Sequence, residues 1–405
     1  MNKRAGAGTE FGMRRLGQGL DIDAVALDVA TEGAGSHTGS PDALATAPPR
    51  GDASRRRLGP GAWRSPHPGP TYAALDLGTN NCRLLIARPA QRDSGPFGFR
   101  IVDSFSRIVR LGEGLSQTGR LSEAAIERTI EALAICRDKM EGRSVTRARL
   151  IATEACRAAE NGAEFVTKVR ETLGLELEIV DRETEAHLAA AGCASLADAS
   201  AESVVLFDIG GGSSEVIWLD RSDPIKRTGF AAGLRKRIRF WISLKMGVVT
   251  LAEKFGGIEV TEEVFEAMVQ AVTRELDDFI ARASNLGRCA HFHLLGTSGT
   301  VTTIAGIFLN LPRYDRRRVD GLWMSDGEVN ETVERLRKMS YRERVANGCI
   351  GPERADLVLA GCAILEAIRR AFPAERVRIA DRGLREGILL QLMQADRMKG
   401  RNGWR

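Results

Sequence analysis

From Tyr72 onward the chain alternates short unbroken apolar runs with longer stretches of helical period, and the two patterns predict different elements. YAALDLG (72–78) and CRLLIA (82–87) are apolar runs separated by TNN, which predicts two strands joined by a tight turn. A third strand is expected near Phe99 to Ser106. In SEAAIERTIEALAICRDKM (122–140) the period changes, with Ile126, Ile130, Leu133 and Met140 on one helical stripe behind a serine cap. RLIAT (149–153) and LEIV (177–180) read as strands, and AEFVTKVRETLGL (163–175) as a helix closed by Gly174. DRETEAHLAAAGCASLADA (181–199) reads as a helix opened by Asp181. Beyond residue 260 follow a long helix (262–283), a strand HFHLLG (291–296) and a helix VTTIAGIFL (301–309). Helices are expected to fill most of the remainder, including 354–372 and 381–393.

The second half repeats the first. At an offset of 132 residues Asp76 falls opposite Asp208, Leu75 opposite Phe207, Gly78 opposite Gly210, and Leu84–Ile86 opposite Val216–Trp218. Each half therefore opens with strand, Asp-x-Gly, turn, strand. A repeat this long indicates two similar α/β domains rather than a solenoid, whose periods run to about 50 residues. The expected division is 71–199 and 200–398, with a boundary near Ala197 to Glu202. Residues 1–70 carry no sustained period and are rich in Gly, Ala, Pro, Ser and Arg, so a disordered extension is expected there.

Composition narrows the class. With 43% hydrophobic and 27% charged residues in 405, the chain suits a globular protein of about two domains, at roughly 150 residues each. No run reaches the ~18 apolar residues of a membrane span and no secretory leader is recognisable, so a cytoplasmic protein with no membrane partner is expected. Seven cysteines stand singly, without a C-x-x-C pair, which argues against a disulfide framework or a zinc site. His291 and His293 alternate on a strand without a third ligand nearby and read as ordinary strand residues. The net charge of +5 is concentrated in KRTGFAAGLRKRIR (226–239) and RYDRRR (313–318), a distribution that attracts polyanions. Aromatics make up only 5% and are not interleaved with these charges, so no nucleic acid is expected as partner.

Three glycine loops are candidates for holding an anion. Gly296-Thr297-Ser298-Gly299 lies between a strand and a helix, where free N–H groups and the helix dipole act together. The other two loops join strand to strand, which excludes the dinucleotide fingerprint and the P-loop. One of them, in LFDIGGGSSEVIWLD (206–220), sets a carboxylate beside three glycines. An acid facing phosphate is tolerable when Mg²⁺ lies between them, held by one or two carboxylates, phosphate oxygens and water. Asp208 and Glu215 are seven residues apart across that hairpin and both are placed to approach one ion, while Asp76 offers the matching group in the first domain.

In LDLGTNNCRLLIA, ATEACRAAENGAEF, IVDRETEAHL, FDIGGGSSEVI and LLGTSGTVTTIAGI, taken in that order, the chain resembles the exopolyphosphatase and guanosine pentaphosphate phosphohydrolase family. The resemblance spans residues 72–310 by motif. It implies the actin/Hsp70/sugar-kinase fold, two ribonuclease-H-like domains with the active site in the cleft between them. It implies Glu185 as the base that activates water, Glu215 as a second catalytic group near metal and water, and Asp208 beside the metal, Mg²⁺. Arg157 would grip phosphate. Asp76, Gly78, Thr79 and Asn80 in the first domain, and Gly210, Gly211, Gly212, Ser213, Gly296, Thr297, Ser298 and Gly299 in the second, would line the phosphate track. The implied substrates are inorganic polyphosphate and guanosine pentaphosphate. His187 replaces an arginine that many relatives carry, and no histidine follows His293, so a working HD-type domain is not expected. A kinase of the same fold and a non-catalytic polyphosphate or alarmone sensor remain alternatives, and the oligomeric state, a homodimer included, stays open.

Overall fold

The computed structural model describes residues 69–90, 98–221, 234–284 and 291–402. The expected extension up to residue 68, most of the basic run 226–239, and Cys289 lie outside the described residues. Two sheets carry the architecture. The first contains β1 (Tyr72–Leu77), β2 (Asn81–Pro89), β3 (Phe99–Ile108), β4 (Arg147–Ala152) and β5 (Leu177–Ile179), in the order β3-β2-β1-β4-β5. The second contains β6 (Ser203–Ile209), β7 (Ser214–Asp220), β8 (Ile238–Leu244), β9 (Phe292–Thr297), β10 (Trp323–Ser325) and β11 (Arg376–Ala380), in the order β10-β11-β9-β6-β7-β8. In each sheet an antiparallel three-strand meander is extended by parallel strands, β1 to β4 and β5, β6 to β9 and β11. The repeat read from the sequence is thus a repeat of topology.

Side-chain period explains why the central strands are apolar throughout. In β1, Ala73, Leu75 and Leu77 enter one core while Tyr72 and Ala74 enter another. In β6, Val205, Phe207 and Ile209 face one core, and Val204 and Leu206 a different one. Alternate residues point to opposite faces, so a strand covered on both faces is apolar at every position. Helices Glu123–Gly142 and Gly162–Leu173 cover one face of the first sheet. Helices Glu262–Ser284, Gly299–Phe308 and Val358–Ala371 cover one face of the second.

The remaining face of each sheet is covered by a helix from the opposite half. The helix Arg182–Cys193, opened by Asp181 accepting from Thr184 N at 2.7 Å, turns Ala186, Ala190 and Cys193 toward Val204, Leu206 and Ile217 of the second sheet. The last helix, Leu384–Asn402, turns Leu384, Ile388, Leu389 and Met393 toward Tyr72, Ala74, Leu85 and Ile151 of the first. The last helix, which sequence order groups with 200–398, thus buries its apolar stripe on the first sheet. The two helices touch through glycines. A Cβ on Gly192 would lie 1.9 Å from Gly383 O, and one on Gly387 2.0 Å from Leu188 O. The helix expected to run to residue 199 stops at Cys193 in a short 3₁₀ turn, Ala194–Leu196, because Asp198 N donates to His293 Nε2 at 3.1 Å instead of continuing the helix.

Elsewhere β8, β10 and β11 stand where strands were not expected. The helices expected from Arg354 and Asp381 start later, at Val358 and Leu384. Among the described residues six cysteines are buried free thiols. Among the described residues no helix is long and apolar enough to cross a membrane.

Candidate active site

The turns after β1 and β6 line one cleft between the two sheets. The register of the β6–β7 hairpin places Asp208 directly opposite Glu215, so both carboxylates leave the same face of the ladder. Glu215 accepts from Ser243 Oγ at 2.8 Å and is 2% exposed. Gly210 N closes the turn onto Ser213 O at 3.0 Å, and among the described residues no hydrogen bond takes up the N–H groups of Gly211 and Gly212. The same glycines permit close approach between the lobes. A Cβ on Gly211 would lie 2.9 Å from Thr79 Cβ, and one on Gly212 2.6 Å from Thr79 Oγ1. Their absence of side chains thus serves packing against the first turn as well as access to backbone amides.

The third loop is strained where it faces the cleft. Ser298, the residue before helix Gly299–Phe308, has φ 88° and ψ −177°, a region essentially reserved for glycine. Its hydroxyl donates to Ile209 O at 2.6 Å and Thr297 Oγ1 donates to Arg382 O at 2.6 Å, which fix the loop beside the β6 turn.

Glu185 sits in the first turn of its helix and reaches the cleft from the first half of the chain. Arg157 Nη2 donates to Glu185 Oε2 at 3.0 Å. The rest of that guanidinium is taken by Glu154 Oε2 and by Val180 O. Glu154 also accepts from Arg182 Nη2 at 2.8 Å. Arg157 is thus an ion-pair partner that orients Glu185 and does not line the cleft. Gly296 is also outside the lining. It lies within β9, where a Cβ would meet the Phe207 ring at 2.5 Å, so its role is packing. All other expected residues line the cleft: Asp76, Gly78, Thr79, Asn80, Glu185, Asp208, Gly210, Gly211, Gly212, Ser213, Glu215, Thr297, Ser298 and Gly299. His187 is half-buried, bonds Glu183 O through Nδ1 and does not line the cleft.

The lining also includes residues that sequence reading passed over, notably Arg83, Glu154, Arg354, Asp381, Arg385 and Glu386. Arg83 was hidden inside an apolar strand, but its position two residues after Asn81 on a two-residue period was a usable signal. Asp381, Arg385 and Glu386 were absorbed into an expected helix.

Charge in the cleft is out of balance. Burial raises the carboxyls of Asp76, Asp208, Glu215 and Glu185 above their ordinary values. Asp208 is pushed up to about 7, by burial first and then by the charges of Glu215 and Asp76. Glu185 is raised well above the usual range by burial and Glu215, against the pull of Arg157. The oxygens Asn80 Oδ1 and Asn81 Oδ1 are buried without a hydrogen-bond donor. Unbalanced acids together with open acceptor oxygens suit a hydrated cation. Among the described residues no cluster of three or more His, Cys, Asp or Glu forms a metal cage. Mg²⁺ needs none, since one or two carboxylates suffice when phosphate and water complete its shell.

Residues 89–396 match the Ppx/GppA phosphatase family. The chain is 27% identical over 333 residues to exopolyphosphatase 2 of Mycobacterium tuberculosis, covering 79% of this chain and 98% of that one. It is 28% identical over 327 residues to the guanosine-5′-triphosphate,3′-diphosphate pyrophosphatase of Photobacterium profundum, covering 80% of this chain but only 59% of that protein's length. The crystal structure of the Aquifex aeolicus member of the family superposes with a TM-score of 0.63 at 27% identity, covering 81% of this chain and 98% of that one. The actin-like two-domain fold expected from the sequence is the fold present. The chain belongs to the Ppx/GppA phosphatase family.

Proposed function

We propose that this protein releases orthophosphate from the terminal phosphoanhydride of inorganic polyphosphate, with guanosine pentaphosphate as a second substrate. The observation that carries the reading is the convergence of Glu185 with the Asp208–Glu215 pair and the open amides of Gly211 and Gly212 in one cleft. The names of the relatives from Mycobacterium tuberculosis and Photobacterium profundum support both substrates.

Phosphoryl transfer requires mainly positioning and charge neutralisation. The N–H groups of the 210–213 turn and of the first turn of helix Gly299–Phe308 donate to phosphate oxygens. Arg83 and Arg354 reach the cleft from the two lobes and add fixed positive charge. Glu185, aimed by Arg157, accepts the proton of the attacking water. Glu154 holds Arg157 and Arg182 together and so fixes that aim. Asp208 and Glu215 are the residues that would hold magnesium, which would neutralise phosphate oxygens and offset the charge of Glu215 that, after burial, raises the Glu185 carboxyl. We place the activity in the cytoplasm, where six free thiols remain reduced.

The test is phosphate release with Mg²⁺ from polyphosphate, guanosine pentaphosphate and ATP in parallel, on the wild type and on Glu185→Gln. The variant should lose about 10³-fold in kcat on polyphosphate with KM nearly unchanged, as expected for removal of a general base. Unchanged turnover would remove Glu185 from the mechanism, and release from ATP alone would replace the substrate assignment.

A further inference from the structure

The rim of the cleft on the second lobe carries arginines that the reaction at its floor does not use. Arg313, Arg317 and Arg318 are exposed, and among the described residues none has a carboxylate within ion-pair distance. The segment that bears them is fixed to the cleft wall. Arg316, in the same short run, pairs with Asp381 Oδ2 at 3.3 Å and donates to Glu386 Oε1 at 2.8 Å, and both acids line the cleft. Tyr314 bonds Asp381 and Thr302 through its hydroxyl.

A second set of contacts joins the rim to Arg354. Cys349 Sγ donates to Leu311 O, and a Cβ on Gly348 would lie 2.0 Å from Pro312 O, so the loop leading to Arg354 is packed on the loop carrying Arg313. Thr303 Oγ1 donates to Cys349 O and lines the cleft itself. The segment that carries Arg313, Arg317 and Arg318 is therefore fixed beside the cleft wall that carries Arg354, Asp381 and Glu386. The one carboxylate within the run, Asp315, accepts from Arg317 N at the helix cap and leaves the patch net positive.

We propose that this rim is a distal phosphate subsite, which holds the part of a long polyphosphate chain that extends beyond the cleft. The inference rests on the reading of the cleft as a polyphosphate site, and goes further by assigning chain-length preference to Arg313, Arg317 and Arg318. Arginines unpaired by protein acids and arranged outward from the cleft suit a ligand that presents the same anionic group at every unit. Guanosine pentaphosphate interrupts its phosphates with a nucleoside and so presents no continuous row of them.

The experiment compares wild type with the triple variant R313S/R317S/R318S and with the charge-preserving R313K/R317K/R318K. Phosphate release is followed on tripolyphosphate and on polyphosphate of hundreds of units, and equilibrium binding of the long chain is measured separately by fluorescence polarisation. The serine variant should raise KM for the long chain at least about fivefold and leave tripolyphosphate kinetics unchanged. Its log KM against log salt should flatten by about 2, for three contacts at roughly 0.7 each as in single-stranded polyanions. The lysine variant should restore most of the long-chain KM. Equal effects on both substrates, or no effect on either, would overturn the subsite. Should the wild type hydrolyse neither substrate, the reading of the cleft fails, and the binding titration still decides the rim: equal long-chain affinity of wild type and serine variant refutes it.

Discussion

The two hairpins that open the lobes share topology and register but not charge. In the first, Asp76 lies opposite Arg83; in the second, Asp208 lies opposite Glu215. Arg83 and Glu215 are equivalent positions, separated by the same 132 residues as the two aspartates. Cross-strand neighbours of opposite sign support each other, whereas like charges repel. Accordingly Arg83 pulls the buried Asp76 carboxyl back toward ionisation, while Glu215 pushes Asp208 further up, to about 7. One repeat therefore sets a cation opposite its buried carboxyl, and the other sets a second acid there, a pair that a bound cation would neutralise under the proposed function. In the proposed mechanism, a single difference at the position of Arg83 and Glu215 separates a turn that faces phosphate from one that faces a metal ion.

The largest test of that asymmetry is on turnover. Glu215→Gln and Asp208→Asn should each lower kcat for polyphosphate by about 10²–10³-fold, the scale of losing one electrostatic stabiliser. Asp76→Asn should cost about tenfold at most. A larger loss at Asp76 than at Asp208, in steady-state phosphate release, would reverse the assignment.

A smaller effect concerns the crossing helices, which make the lobes depend on one another. Gly387→Ala forces a methyl group onto Leu188 O, and overpacking of this kind costs about 1–3 kcal/mol. Tm should fall by about 1–1.5 °C for each kcal/mol lost, at roughly 2.1 cal/mol/K of unfolding entropy per residue, read by calorimetry as one transition that moves as a whole. Two separated transitions would show that each lobe is held independently of the helix it receives.

The smallest effect is on pH dependence. Asp208 has a folded value of about 7 against an ordinary 3.8, so its burial favours the protonated form. That contribution is fully present below the unfolded value and is lost as pH rises through about 7. Tm in EDTA should fall by a few degrees from pH 5.5 to 8, and Asp208→Asn should flatten that slope more than Asp76→Asn. An equal flattening by the two would mean that Arg83 and Glu215 do not distinguish the hairpins.

Much of this was legible in the residues. The hairpins, the Ser122 and Asp181 caps and the 132-residue repeat follow from local period and capping chemistry, which neighbouring residues determine. The parts that were not legible depend on distant partners. β10 has only three residues and β11 carries two arginines, so β11 is a strand because β9 supplies an edge, and β10 because β11 then supplies another. β8 begins beside a basic run whose charge masked its alternation. Nothing local in Leu384–Asn402 indicates that its apolar stripe belongs to the opposite lobe. In the site, Glu185, Asp208 and Glu215 all line the cleft, whereas Arg157 and Gly296, which the resemblance gives to the phosphate track, do not. Their actual partners, Glu154 with Glu185 and the Phe207 ring, come from other elements and become visible only when these are packed.

The most direct measurement is the activation constant for Mg²⁺ in phosphate release from polyphosphate, for wild type, Asp208→Asn and Asp76→Asn. The account predicts at least a tenfold rise for Asp208→Asn, about 1.4 kcal/mol of lost affinity, and little change for Asp76→Asn. Equal shifts in the two variants, or full activity of the wild type in EDTA, would contradict it.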